Sequence, residues 1–100
     1  MIRHIVLFKL REFNTTAEKK KAAETVSAEL VKLKKKIPFI SDFETGINIT
    51  IDESAYDWVL NSTFASIEDL KAYQAHPDHQ AFIQFNKGYS VKKVVIDYEY

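Results

Sequence analysis

The sequence predicts an α+β domain of the ferredoxin-like class, an antiparallel four-stranded sheet with helices on one face. Hydrophobic periodicities of two and of 3.6 residues alternate in the order strand, helix, strand, strand, helix, strand. Only two glycines and two prolines occur, so the 100 residues contain no linker and form one domain, residues 1–100. The first and the last strands are apolar on both faces, although helices would cover only one.

The first strand is predicted over residues 2–10. Its alternation places one row of side chains towards the helices: Ile2, His4, Val6, Phe8 and Leu10. The opposite row contains Arg3, Ile5, Leu7 and Lys9.

A long helix is predicted over residues 16–36, capped by Thr15 or Thr16 and ended by Pro38. Its apolar stripe, at helical spacing, consists of Ala22, Val26, Leu30, Leu33 and Ile37.

Two strands follow, over residues 41–50 and 56–64, with a turn at 52–54 between them. Gly46 is a candidate β-bulge in the first of them. In the second, the alternation groups Tyr56, Trp58, Leu60 and Phe64 on one face.

Ser66 is expected to cap the next helix, which runs to about Ala75. Pro77 breaks it and suits the first position of a further helical segment ending near Gly88. The last strand is predicted over residues 91–100, with Val94, Ile96, Tyr98 and Tyr100 on one face and Val91 and Val95 on the other. Asp97 and Glu99 are expected to be solvated charges at a sheet edge, on the face that pairs with a second copy.

The uncovered sheet face would expose Ile5, Leu7 and parts of the last two strands. Exposed apolar surface of this extent usually marks an interface. We therefore expect a homodimer in which two sheets pack face to face and close into an α/β barrel.

Composition excludes several classes of function. The formal net charge is zero, which argues against nucleic-acid binding. The absence of cysteine excludes disulfides, thiolate nucleophiles and cysteine-ligated zinc. The apolar run at residues 2–10 is too short and too charged for a signal peptide or a membrane span, so a cytoplasmic location is expected.

The segment YQAHPDHQAF, residues 73–82, carries the densest chemistry: a tyrosine, two histidines and a proline. Histidine titrates near neutral pH, and a tyrosine hydroxyl donates a hydrogen bond without carrying charge. His4 interrupts the apolar face of the first strand, where a polar ring needs a partner. Each of these side chains also has a structural interpretation, as a core group or a helix-end group. His76 is expected to cap the helix after Pro77 or to lie on the surface.

A metal site is a weaker hypothesis for the same segment. His76 and His79 form an HxxH motif that His4 could join, but Pro77 disturbs the helical geometry that would align the two. No metal and no cofactor are therefore expected.

Four stretches together carry a resemblance to a known family: HIVLFKL, the helix end at Ile37-Pro38, DWVLNSTF and AYQAHPDH. In these the chain resembles the Dabb family of stress-responsive dimeric α/β-barrel domains. The resemblance implies a dimeric barrel and a pocket between sheet and helices, for a small and largely apolar molecule. It implies pocket walls formed by Val6, Phe8, Val26, Leu30, Trp58, Leu60 and Phe82.

One branch of that family contains plant polyketide cyclases, which close a ring by an intramolecular aldol condensation. Resemblance to that branch implies His79 as general base, Tyr73 as the group that polarises a carbonyl, and His4 as their pocket partner. The family cyclases carry aromatic residues on the first helix, where this chain has Ala22, Val26 and Leu30. Two alternatives remain open: a non-catalytic stress or structural protein, and a monooxygenase-like enzyme of the same fold.

Overall fold

A computed structural model describes residues 1–50 and 52–100. Its elements follow the predicted order. The helix predicted over 16–36 is divided in two, and the later helical region is broken before Pro77, as predicted. They are β1 (Ile2–Leu10), α1 (Thr16–Val31), α2 (Leu33–Lys36), β2 (Ile40–Ile47), β3 (Trp58–Phe64), α3 (Ile67–Ala75), α4 (Pro77–Asn86) and β4 (Ser90–Glu99).

The four strands form one antiparallel sheet in the order β2-β3-β1-β4. The even-numbered residues of β1 are buried beneath the helices, as predicted from the alternation. They join the stripe of α1 and α2 and the inward face of β3 in one core, which contains Val6, Phe8, Val26, Leu30, Ile37, Trp58, Leu60 and Phe64. The ferredoxin-like α+β class is therefore confirmed.

Local signals explain where the first helices begin and end. Thr15 is the N-cap, and its side-chain oxygen accepts a hydrogen bond from the Glu18 amide at 3.1 Å. The helix is interrupted at Lys32, and its last turn ends at Ile37, immediately before Pro38.

The second strand differs from its prediction at both ends. β2 begins at Ile40 and stops at Ile47, so the predicted strand residues 48–50 lie outside it. The Asn48 side chain instead bonds the Tyr56 carbonyl and the Thr50 amide, an alternative to the ladder that asparagine offers. Gly46 pairs regularly with Val59, and the irregularity falls between Ile40 and Asp42, so the predicted bulge position was wrong.

The segment from Ser66 to Asn86 folds as two helices joined at His76. Ser66 accepts a hydrogen bond from the Asp69 amide at 3.2 Å. His76 has extended backbone, as the residue before a proline prefers, and its Nδ1 accepts a hydrogen bond from the Asp78 amide at 3.1 Å. The predicted capping role of His76 is confirmed, with Pro77 at the first helical position.

The face of the sheet that the helices leave uncovered is strongly apolar along β1 and β4. Register places Ile5 opposite Ile96 and Leu7 opposite Val94. Ile96 is 58% exposed and Val94 is 48% exposed. We call this surface, formed by Ile5, Leu7, Val59, Val94, Ile96 and Tyr98, the outer face.

The predicted placement of Asp97 and Glu99 on this outer face was wrong. Asp97 pairs with His4 and Glu99 with Ile2, so both lie on the helix side of the sheet. Alternation along β4 separates them from Ile96 and Tyr98.

No helix in the described residues combines the length and hydrophobicity that crossing a bilayer requires.

Candidate functional site

A cavity of about 330 Å³ lies between the helices and the β1–β4 side of the sheet. Its size is at the small end of the range for ligand sites, which extends from roughly 300 to 1,000 Å³. The residues predicted from sequence that line it are His4, Val6, Phe8, Leu30, Leu60, Tyr73, His79 and Phe82. The fold therefore brings together residues from β1, α1, β3, α3 and α4.

Two residues predicted as pocket wall do not line this cavity. Val26 is 0% exposed and Trp58 is 2% exposed, and both belong to the packed core. Trp58 stacks on Phe8 with ring centroids 4.0 Å apart, which occupies the face that a ligand would need. Alternation along β3 correctly predicted that Trp58 lies on the helix side of the sheet, but Trp58 does not line the cavity.

His4 is oriented by a carboxylate. Its Nδ1 lies 2.5 Å from Oδ1 of Asp97 on the neighbouring strand, and His4 itself is 5% exposed. Since a carboxylate only accepts, Nδ1 carries the hydrogen, and Nε2 of the neutral ring is left as an acceptor. This arrangement supplies the partner that a polar ring in the apolar row of β1 needs.

His79 has a similar arrangement with a backbone acceptor. Its Nδ1 donates to the carbonyl of Gln74 at 3.1 Å, so Nε2 is again the unprotonated nitrogen of the neutral ring. Burial lowers the pKa of His79 from its usual 6.5. The hydrogen bond to Gln74 raises this pKa, and the nearby charges of His4, Lys93 and His76 lower it further. His79 is therefore neutral at pH 7 and has the free lone pair of a base.

Tyr73 lies between the two imidazoles. Its ring centroid is 4.3 Å from that of His79 and 6.2 Å from that of His4. Phe64 and Phe43 hold the ring from the other sides. Its hydroxyl is buried and has no hydrogen-bond partner among the described residues. Burial raises the pKa of the Tyr73 phenol, so the group stays a neutral donor.

The structural interpretation of these residues is met in part. The bond from His79 to Gln74 satisfies a carbonyl in the last turn of α3, as a helix-end role predicts. The other half of that interpretation, a Tyr73 hydroxyl bonded to backbone, does not hold.

The described residues contain no group of three or more histidine, cysteine or acidic side chains arranged to hold a metal ion. In the HxxH motif, Nδ1 of His76 caps α4 and Nδ1 of His79 bonds to Gln74, so neither atom is available as a ligand.

Sequence reasoning missed one side of the cavity, the polar stretch from the end of α4 into β4. Its lining residues there are Asn86, Lys87, Ser90, Val91, Lys92, Lys93 and Val95. It also missed Asp97 as the partner of His4. The available signal was alternation in β4, because residues 93, 95 and 97 share the side of the sheet that carries His4 once the β1–β4 register is known.

Comparisons with known proteins identify the family and relatives of the chain. The family model of the stress responsive A/B barrel domain, Dabb, matches residues 2–100. An uncharacterized protein of Streptomyces coelicolor is 33% identical over 100 residues, which is 100% of both chains. Olivetolic acid cyclase of Cannabis sativa is 27% identical, covering 97% of this chain and 94% of the cyclase.

Among solved structures, a dimeric protein of unknown function with a ferredoxin-like fold from Bacteroides fragilis superposes with a TM-score of 0.85. It is 30% identical, and the match covers 99% of this chain and 95% of that one. From the family match over residues 2–100 and these full-length relatives, we conclude that the chain belongs to the Dabb family of stress-responsive A/B barrel domains.

Proposed function

We propose that the chain forms a homodimer that binds a small, largely apolar molecule in this cavity and performs cofactor-free acid–base chemistry on it. The observation that carries the proposal is the hydroxyl of Tyr73. A buried hydroxyl without a partner costs about 1–3 kcal/mol, and a ligand oxygen in the cavity would remove that cost.

The three polar side chains have complementary roles in such chemistry. Tyr73 contributes one donor, and His79 and His4 each contribute one unprotonated nitrogen when neutral. A proton on carbon next to a carbonyl is removed by a base near neutral pKa, while the developing oxyanion needs a donor. His79 and Tyr73 supply these two groups side by side.

An intramolecular aldol closure uses them in a balanced sequence. His79 takes a proton from the carbon next to one carbonyl, and Tyr73 donates a hydrogen bond to the enolate oxygen that forms. The enolate carbon attacks a second carbonyl of the same molecule, forming one carbon–carbon bond. The resulting alkoxide takes the proton back from the imidazolium of His79. His4, held by Asp97, accepts a hydrogen bond from the substrate.

The relationship to olivetolic acid cyclase supports ring closure as the reaction class. The first helix argues for a different substrate shape. Leu30 is the residue of α1 that lines the cavity, and the other buried residues of that helix are Ala22, Ala23 and Val26. The proposed substrate is therefore bounded by aliphatic rather than aromatic side chains on that side.

The outer face supports the dimer. Ile96, Val94 and Tyr98 are 58%, 48% and 44% exposed, an arrangement that monomeric domains rarely leave in water. The Bacteroides fragilis relative is dimeric.

The second candidate is a non-catalytic protein whose histidines only connect the helices to each other and to the sheet. The hydrogen bonds that His79 and Gln80 both make to the Gln74 carbonyl favour it, since they tie α4 to α3. Only the shared fold supports a monooxygenase-like activity.

A ligand screen on purified protein separates the two candidates. Small diketones and aromatic ketones are tested for binding by ligand-observed NMR, and those that bind are tested for conversion by the wild type and by His79→Ala. The proposal expects binding in both proteins and turnover only in the wild type. If His79→Ala lowers the melting temperature strongly while ligand binding is unchanged, the connecting role of His79 replaces the catalytic one.

A further inference from the structure

The lining of the cavity differs in chemistry from one group of residues to another. Phe8, Leu60 and Phe82 are among its apolar residues. We call the polar and cationic lining residues between the end of α4 and β4 the rim. They include Asn86, Lys87, Ser90 and Lys93.

This rim presents donors and no acidic side chain. Among the described lining residues there is no aspartate or glutamate. Lys87 and Lys93 form no ion pair with any described residue, and both are exposed. Lys92 also borders the rim, but alternation along β4 directs its side chain to the outer face.

Asn86 is fixed in an orientation that adds another donor. Its Oδ1 accepts a hydrogen bond from Ser90 Oγ at 2.8 Å, and Asn86 is 8% exposed. Its Nδ2 has no described partner, and the residue lines the cavity. A rim with an amide donor and two ammonium groups matches a ligand group that only accepts hydrogen bonds.

Lys93 is the residue that connects the rim to the proposed reaction centre. It lies opposite Phe8 in the β1–β4 register, on the helix side of the sheet. Its charge acts on His79 across the cavity. Asp97 shares this side of β4, but it is four residues away, roughly 13 Å along a strand, and is engaged by His4.

We propose that the ligand of this cavity carries an anionic oxygen head group, bound at the rim by Lys93 with help from Lys87 and Asn86, while its uncharged body, which carries the reacting carbonyls, extends towards Tyr73 and His79. This inference rests on the proposed function, because it names the class of molecule that the same cavity takes. Carboxylates and phosphates share this head-group chemistry. The rim binds the charged end and leaves the uncharged body of the ligand beside the base.

The test compares head groups on one eight-carbon chain. Binding of octanoate, octyl phosphate and the neutral octanamide is measured by isothermal titration calorimetry, at low and at physiological ionic strength. We expect an anion to bind about tenfold more tightly than octanamide, the effect of one charge-assisted contact, and we expect the preference to shrink with salt. Whichever of octanoate and octyl phosphate binds more tightly identifies the head group.

Three variants assign the effect to the rim. Lys93→Met should abolish the preference for the anion while octanamide binds as before, and Lys93→Arg should retain it. Lys35→Met removes an exposed lysine from α2, outside the cavity lining, and should change nothing. Circular dichroism confirms that each variant is folded.

The possible failures are distinct. If octanamide binds wild type as tightly as both anions, the anionic head group is refuted and the apolar cavity of the proposed function stands. If none of the three compounds binds, the cavity is not a site for small amphiphiles, and the proposed function fails together with this inference. An anion preference that survives in Lys93→Met overturns the assignment to Lys93.

Discussion

Nδ1 of His4 lies 2.5 Å from Oδ1 of Asp97, across the β1–β4 pairing and 93 positions apart in the sequence. The carboxylate is 38% exposed, whereas the imidazole is 6% exposed. One buried ring of the site is therefore held by a partner that water reaches. This relationship fixes which nitrogen of His4 faces the chemistry.

Asp97→Ala should release His4 from a single tautomer. Without the carboxylate, the Nδ1–H group of His4 can donate to water instead, because the Asp97 position is exposed to solvent. The free energy of unfolding should therefore fall by only about 1 kcal/mol. Long-range ¹⁵N-detected NMR of the imidazole should show a hydrogen on Nδ1 in the wild type and a tautomer mixture in the variant. Glu99→Ala, two residues along the same strand, is the matched control. Identical His4 nitrogen shifts in Asp97→Ala and the wild type would contradict the positioning role.

Tyr73→Phe should not destabilise the fold. The hydroxyl that it removes is buried without a partner, so the free energy of unfolding should stay constant or rise by about 1 kcal/mol. Tyr73→Ala, which removes the whole ring from the core, should cost about 3–5 kcal/mol. Urea denaturation measures both. A loss above about 1.5 kcal/mol in Tyr73→Phe would reveal a structural partner for the hydroxyl and remove the main support for the site.

The protonation of His79 should reduce stability in mildly acid solution. Its pKa in the folded chain is lower than the 6.5 of an unfolded chain, so the unfolded state binds more protons between the two values. Stability from this group is complete above pH 6.5 and falls as pH decreases towards the folded pKa. NMR titration of the imidazole should give a midpoint below 6.5, and the pH slope of stability should weaken in His79→Gln. A midpoint at or above 6.5 would contradict the neutral base.

Ile96→Lys should separate the proposed dimer. It places a charge in the centre of the outer face, beside Ile5 on the neighbouring strand. Sedimentation velocity at micromolar concentration should show a dimer for the wild type and a monomer for the variant. The control is Ile67→Lys, a similarly exposed isoleucine on α3, which should stay dimeric. A wild-type monomer at these concentrations, or a dimeric Ile96→Lys, would exclude the outer face as the interface.

Local patterns were sufficient for most of the fold. Alternation placed His4 in the buried row of β1, and Thr15, Ser66 and Pro77 each marked a helix start that the structure contains. Where prediction failed, a local pattern had no information about pairing. Gly46 suggested a bulge, but the irregularity falls near Ser41, where the β2–β3 register decides it.

The candidate site was also predictable from the sequence only in part. His4, Tyr73 and His79 were identifiable because histidine in an apolar row and a histidine pair around a proline are conspicuous in the sequence. Asp97 and Lys93 were not, because their relation to the site depends on which residue of β4 pairs with which residue of β1. That register joins segments about ninety positions apart, and no short-range signal encodes it.

The alternation of β4 has a consequence for how this protein tolerates insertions and deletions. Lys93 and Asp97 lie on the helix side of the sheet, and Val94 and Ile96, between them, lie on the outer face. Removing a single residue from the turn at 87–89 would exchange the two faces of the strand. Lysine and aspartate would then lie on the outer face, and valine and isoleucine would point into the cavity. Length in that short turn is therefore under tighter constraint than its exposed position suggests, since one side of β4 borders the cavity and the other side belongs to the outer face.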